Sequence, residues 1–210
     1  MAEISFERIF RRGFGALFDA TGRDDRTQFW IFSALVFGPL IVIQVAVQML
    51  LMFSSLSLEN LAAAGKNAEA AQPQMIAAMG EGMITSAYIS LGLFAFGACL
   101  LLTAVARRLH DRGRSGWWSL ILPFTVAATG IDQIRRAEWM FGHMEKFAEE
   151  MHKMGTGPDS TFAMPMRLQQ TGAPGANWAA IVAGLAMLWL AIELVRAGTD
   201  GANRFGPAPE

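Results

Sequence analysis

Charge disappears from this chain in long blocks rather than at alternating or helically spaced positions. The longest block runs from Trp30 to Phe53, WIFSALVFGPLIVIQVAVQMLLMF, 24 residues without an ionisable side chain. A helix rises about 1.5 Å per residue, so about 20 apolar residues cross a hydrocarbon layer about 30 Å thick. The block is long enough to span with some tilt. Gly38 and Pro39 inside it would break a helix in water but are tolerated in lipid, where neighbouring groups re-satisfy the backbone. A second block of 22 residues runs from Thr85 to Ala106. Two shorter ones follow: Gly116 to Ile131, 16 residues with Pro123 near the middle, and Trp178 to Val195, 18 residues with Glu193 near the end. The pattern predicts an all-α membrane protein with about four transmembrane helices, at 30–53, 85–106, 116–131 and 178–195. Residues 116–131 are short enough to fit a re-entrant segment as well as a full crossing.

The first block is too long for a secretory signal, whose apolar part is about 7–15 residues. It also follows 29 residues holding five arginines and five acidic side chains. It is therefore expected to stay in the mature protein. Within residues 1–29, Phe6, Phe10, Phe14, Leu17 and Phe18 share one helical face, with Arg8, Arg11 and Arg12 elsewhere. That pattern predicts an N-terminal interfacial helix with arginines near anionic headgroups. A helix packed on the protein's own cytoplasmic segments has the same pattern. Residues 54–84 read as a mobile loop or a loose extension of the second span.

The first three spans fill residues 30–131, and residues 132–177 read as an extramembrane insertion, a helix followed by a Gly/Pro-rich linker from 155. In its helical part Met140, Met144, Phe147, Met151 and Met154 draw an apolar stripe, with Glu138, Glu145, Glu149 and Lys153 opposite. Methionine with His143 and His152 suggests copper. The stripe is equally a packing seam, and the two histidines point to opposite sides of a helix, so no metal is expected. The fourth span and a polar tail occupy residues 178–210.

Composition agrees with the block pattern. Of 210 residues, 53% are hydrophobic and 17% charged, against about 25% charged in soluble domains. Seventeen basic and eighteen acidic side chains nearly cancel, which excludes a generally basic nucleic-acid binder. One cysteine, Cys99, makes neither an intrachain disulfide nor a metal site by itself. With four spans, residues 1–29, 107–115 and 196–210 share one side and hold eleven basic residues, whereas 54–84 and 132–177 hold six. The positive-inside rule puts the eleven, and both termini, in the cytoplasm. If 116–131 do not cross, three spans remain and the tail moves outside.

Three polar motifs flank the spans: GRDDRTQFW (Gly22 to Trp30), RRLHDRGRSGWW (Arg107 to Trp118) and GTDGANRFGP (Gly198 to Pro207). In these motifs the chain resembles the bacterial membrane family called domain of unknown function 805. The first match rests on Gly22, Arg23, Arg26, Phe29 and Trp30. The second rests on Arg107, Arg108, Leu109, His110, Asp111, Gly113, Arg114, Ser115, Gly116, Trp117 and Trp118. The third rests on Gly198, Thr199, Gly201, Asn203, Arg204, Phe205, Gly206 and Pro207. The resemblance covers roughly residues 18–53, 85–124 and 178–207, and against it residues 132–177 look like an insertion. It implies a multi-pass protein of the bacterial inner membrane and carries no established activity.

On four spans the three motifs meet at the cytoplasmic face. Arg23, Arg26, Arg107, Arg108, Arg112, Arg114 and Arg204 would crowd there, with Asp24, Asp25, Asp111 and Asp200 as the available acids. One reading is structural: arginines and tryptophans anchor span ends and glycines make turns. The sharper one is an anion site for lipid headgroups, because guanidinium forks grip phosphate bidentately. His110, Asp111, Asp200 and Asn203 would form its supporting polar cluster. His110 and Asp111 are adjacent and diverge on a helix, so they make no catalytic dyad.

No catalytic residue, cofactor or metal set is legible. The partners expected are membrane lipids, with a homo-oligomer or another membrane protein as a further one, and no nucleic acid. The function expected is binding or scaffolding at the cytoplasmic face. A small transporter or channel subunit is the alternative, marked by Gln44, Gln48 and Glu193 as the polar residues within spans. A lipid-modifying enzyme is the weaker one.

Overall fold

The computed structural model describes residues 6–55, 65, 68–143 and 174–209, and these are helical with no strands among them. In chain order the helices are α1 (Phe6–Gly15), α2 (Arg26–Ser55), α3 (Ala68–Asp111), α4 (Ile121–Gly142) and α5 (Trp178–Val195), with a 3-10 turn over Gly116–Leu120 before α4. Three stretches are long and apolar enough to cross a membrane: Arg26–Ser54, Gly80–Asp111 and Trp178–Val195. These contain the expected spans 30–53, 85–106 and 178–195.

The expected span 116–131 is built differently. Gly116–Leu120 is a 3-10 turn, and α4 starts at Ile121 and runs on to Gly142. Pro123 sits in the first turn of α4, where the missing N–H has no intrahelical partner to lose. The charges of Asp132, Arg135, Arg136 and Glu138 lie in the second half of the same helix. The expected boundary at 131–132 therefore falls inside one helix. Of the two readings of 54–84, a mobile loop or an extension of the second span, the helix from Ala68 gives the extension. Phe147, Met144, Met151, Met154 and His152 lie outside the described residues.

The chain divides into two compact units. The first comprises Met1–Ile43, Leu91–Thr129 and Ala179–Glu210. Its core is one apolar cluster in which α2 contributes Phe29, Phe32, Val36 and Leu40, and α3 contributes Ala98, Leu101, Ala104, Val105 and Leu109. Both sets recur at three- and four-residue steps, so each helix turns one stripe inward. Leu122 of α4 and Leu190 and Leu194 of α5 close the cluster. The outward faces are apolar too: Ile41 and Val42 on α2 and Leu185 and Leu188 on α5 are exposed. Exposed apolar side chains along helices that also have an apolar core are what a lipid surround requires. Thr125 of α4 donates to the Ala183 carbonyl of α5 (3.2 Å), and Trp118 meets Trp189 at 5.0 Å.

Helix α1 packs part of its apolar face on the protein's own helices. Ile9 is buried, Phe14 and Leu17 pack on the core, and Phe14 meets the edge of Phe32 at 5.3 Å. Phe10, and Phe18 just beyond the helix, are exposed. Ile9, Phe14 and Leu17 are thus spent on the protein's own helices, while Phe10 and Phe18 stay open to the surroundings.

The second unit comprises Gln44–Ser90 and Gly130–Trp178. There Gln44 donates to Ser90 Oγ (2.7 Å), and Ser86 Oγ donates to Gln48 Oε1 (2.6 Å). The two glutamines singled out in the sequence are thus helix–helix ties, the role polar side chains commonly have between apolar helices.

Gly13 of α1 faces the buried Phe32 ring so closely that a Cβ would collide with it, whereas Gly15 has open space around it. Gly13→Ala is expected to destabilise the protein by about 1–3 kcal/mol through overpacking. Gly15→Ala should be neutral or stabilising by under about 1 kcal/mol. Thermal unfolding of both variants in detergent checks this.

Candidate functional site

The C-terminal end of α3 organises the polar residues of the first unit. The apolar stripe Leu101, Ala104, Val105, Leu109 is continued by Arg108 and Asp111, three residues apart and both buried. The helix then stops at Gly113, whose φ of 70° suits glycine. The N–H of Arg114 reaches the Leu109 carbonyl (2.8 Å) and that of Gly113 the His110 carbonyl (2.9 Å), a Schellman ending. At the start of α2, Asp25 caps the helix by accepting from the Gln28 N–H (2.7 Å).

Two buried carboxylates each hold two arginines. Asp111 accepts from Arg23 (2.8 Å) through Oδ1 and from Arg108 through Oδ2. Asp24 accepts from Arg12 (3.0 Å) through Oδ1 and from Arg107 (2.7 Å) through Oδ2. The remaining guanidinium N–H groups go to backbone carbonyls. Arg23 donates to Thr199 (2.7 Å), Gly201 (2.7 Å) and Gly206 (3.3 Å). Arg107 donates to Ala16 (2.8 Å) and Asp19 (2.6 Å). Arg108, 0% exposed, donates to Leu194 (3.1 Å) and Arg196. The carbonyls of Leu194 and Arg196 stand at the end of α5, which has no intrahelical donors for them. Arg108 thereby serves as the side-chain cap of a second helix.

The tail after α5 is pinned in the same way. Thr199 donates to the Asp111 carbonyl through both its N–H and its hydroxyl (2.9 Å each). Asn203 donates to the His110 carbonyl (3.0 Å) and to Thr199 Oγ1 (2.9 Å). Phe205 stacks on His110 at 4.0 Å, with planes 9° apart. Gly198 passes so near the Asp111 carboxylate that any Cβ would strike it. Asp19, in the loop before Arg23, is held below the usual carboxyl range by hydrogen bonds from the Thr21 hydroxyl and Thr21 N–H.

A third carboxylate is Glu193, 3% exposed near the end of α5. Arg112, Arg114 and Arg196 surround it at 3.6, 3.5 and 3.6 Å. All three distances exceed a hydrogen bond. Glu193 Oε2 and Arg112 Nε are buried without a hydrogen-bond partner.

The seven arginines expected at one face therefore fall into distinct groups. Arg23, Arg107 and Arg108 are buried and engaged by internal acceptors. Arg112 and Arg114 gather at Glu193. Arg204 donates to the Gly113 carbonyl (3.2 Å) and lies over the Phe205 ring. Arg26 is exposed and enters no ion pair among the described residues. Of the expected acids, Asp24 and Asp111 pair with arginines, Asp25 caps a helix, and Asp200 is exposed. His110 and Asn203 join the cluster, whereas Asp200 does not.

Arg12, Thr199, Phe205, Glu193 and Arg196 are participants that sequence reasoning did not assign to the cluster. Arg196 and Glu193, three residues apart at the end of an apolar block, were the available signal. The cavity lined by Arg12, Asp24, Gln28, Phe32 and Arg107 measures about 20 Å³, enough for about one water and not for a substrate.

The family model described as "Protein of unknown function (DUF805)" matches residues 17–207. No curated protein and no solved structure matches the chain.

Removing Asp111 leaves Arg23 and Arg108 buried beside each other without their shared anion. Asp111→Ala is expected to cost about 3–5 kcal/mol, the range for breaking a buried ion pair from one side. Asp200→Ala, at an exposed position, should change stability by less than about 0.5 kcal/mol. Denaturant unfolding in detergent measures both, and equal effects would show that burial of the pair does not matter.

Proposed function

The chain belongs to the family of proteins of unknown function DUF805, and from that premise we propose that it is a multi-pass protein of the bacterial inner membrane whose cytoplasmic face binds anionic lipid headgroups and acts as a binding or scaffolding surface. The observation that carries this reading is the division of labour among the arginines. Arg23, Arg107 and Arg108 are consumed inside the protein, while Arg26, Arg114, Arg196 and Arg204 remain exposed around the same span ends. Exposed Trp30, Trp117 and Trp118 accompany them. Exposed arginines beside an aromatic belt suit a headgroup layer, at about 1 kcal/mol per basic residue near an anionic surface.

Four crossings complete the reading. The turn at 116–120 and residues 121–131 of α4 advance about 26 Å along a helix axis. Thr125 meets Ala183, and Ala183 lies about 18 Å before the end of α5. This registry supports α4 as the crossing that leaves the Asp111 ion-pair network while α5 returns to it. The basic residues, eleven against six, support cytoplasmic termini.

Reporter fusions at Gly113 and the C-terminus should be active only in the cytoplasm, and those at Ser55 and Pro158 only outside. A C-terminal reporter active only outside would overturn four crossings. Native mass spectrometry of the solubilised protein should show phosphatidylglycerol retained in preference to phosphatidylcholine, with the preference shrinking as salt rises. Equal retention would overturn the headgroup reading.

A further inference from the structure

We propose that Arg112, Arg114 and Arg196, gathered round the buried carboxylate of Glu193, form a site for a phosphate monoester. The proposal rests on the headgroup reading above and names the residues and the ligand class. Its basis is a contrast between two kinds of arginine in one unit. The guanidinium groups of Arg23, Arg107 and Arg108 have their donors taken by carboxylates and carbonyls at hydrogen-bond distance. Of the three at Glu193, Arg112 gives one nitrogen to a carbonyl, and none is hydrogen-bonded to the carboxylate. Glu193 stands 3.5–3.6 Å from each of them, near enough to hold the charges together and too far to bond their N–H groups.

Arg114 and Arg196 are half-exposed, and their polar side-chain partner among the described residues is Glu193. Arg112 spends one nitrogen on the Ala197 carbonyl, and its buried Nε faces Glu193 Oε2 at 3.6 Å without a hydrogen bond. Glu193 itself, 97% buried by its 3% exposure, has an oxygen with no hydrogen bond. The carboxylate thus positions a cationic triad from behind without occupying its donors.

The charge count selects the ligand. Three guanidiniums and one carboxylate leave two positive charges. A phosphate monoester carries about −1.5 to −2 at neutral pH and presents three acceptor oxygens, one for each arginine. A phosphodiester headgroup carries one charge and offers fewer free oxygens. The shared chemistry is a terminal phosphate, carried either by a lipid such as phosphatidic acid or by a soluble phosphate ester.

Two probes separate those sources: short-chain phosphatidic acid titrated into the detergent-solubilised protein, and glycerol 3-phosphate in solution. The double variant Arg114→Gln/Arg196→Gln should weaken binding of whichever probe binds by about tenfold more than Arg26→Gln/Arg204→Gln, which removes the same charge from the same face. The probe that binds more tightly identifies the source. Should the double variant fold poorly, judged by its melting, Arg114→Gln alone should still weaken binding more than Arg26→Gln alone. If the two pairs weaken binding equally, the triad is not the site, while preferential retention of phosphatidylglycerol would keep the broader reading intact. If neither probe binds the unaltered protein, the triad proposal fails. Loss of the phosphatidylglycerol preference as well would then remove the broader reading with it.

Discussion

Everything at this end of the molecule depends on Asp111 being shared. Its two oxygens hold Arg23 from the segment before α2 and Arg108 from its own helix. Each of those arginines then reaches into the chain after α5. A buried ion pair is weak evidence for stability, because desolvation offsets most of the Coulombic gain. What this one provides is register. Arg108 meets the Leu194 and Arg196 carbonyls only if α3 and α5 end at the same level, and Arg23 meets Thr199 only if the tail turns back over α3. Apolar helices in lipid slide past one another at small cost, since lipid tails are as apolar as the side chains they replace. Directional bonds at the helix ends supply the specificity that the apolar faces lack.

The charge imbalance that the sequence presents is resolved in a way that pairing acids with bases does not anticipate. Asp24 and Asp111 neutralise at most two of the four arginines they hold. The rest of the compensation comes from backbone carbonyls: Ala16, Asp19, Leu194, Arg196, Thr199, Gly201 and Gly206 all accept from buried guanidiniums. Carbonyls at helix ends and in turns are orphan acceptors in any fold. Near a membrane surface, five N–H donors on a planar cation satisfy several of them at once. Lysine, with a point charge and three donors, could not connect Asp111 to three separate segments in this manner.

The apolar blocks made the first, second and last membrane helices legible, because length and lack of charge are properties of a segment alone. Residues 116–131 were less so. Their block ends at Asp132 while the helix continues to Gly142, so hydropathy and helix length disagree there. For α1 the periodicity was plain, yet periodicity says that a face is buried and not by what. Ile9 and Phe14 pack into the cluster that holds Phe32, while Phe10 and Phe18 stay exposed. Within the polar motifs, residue type pointed to a cluster but not to the partition inside it. Arg107 and Arg108 are neighbours with different carboxylates, because adjacent residues on a helix point about 100° apart. Glu193 read as an acid in an apolar block with Arg196 alone nearby, since Arg112 and Arg114 become its neighbours only when α3 and α5 end together.

That partition also lets exposed arginines and a buried ion-pair network share so few residues. An arginine whose N–H groups are all taken contributes register and no affinity. One held at 3.5–3.6 Å from a buried carboxylate keeps its position and its donors. Asp111 stands 2.8 Å from Arg23 at the end of α3, whereas Glu193 at the end of α5 stands 3.5–3.6 Å from its arginines. The Gly113 turn ends α3 between Arg112 and Arg114, and both of those arginines stand beside Glu193 at the end of α5. The Arg–Arg–Leu–His–Asp run therefore builds the lock, and the Arg–Gly–Arg that follows it faces Glu193.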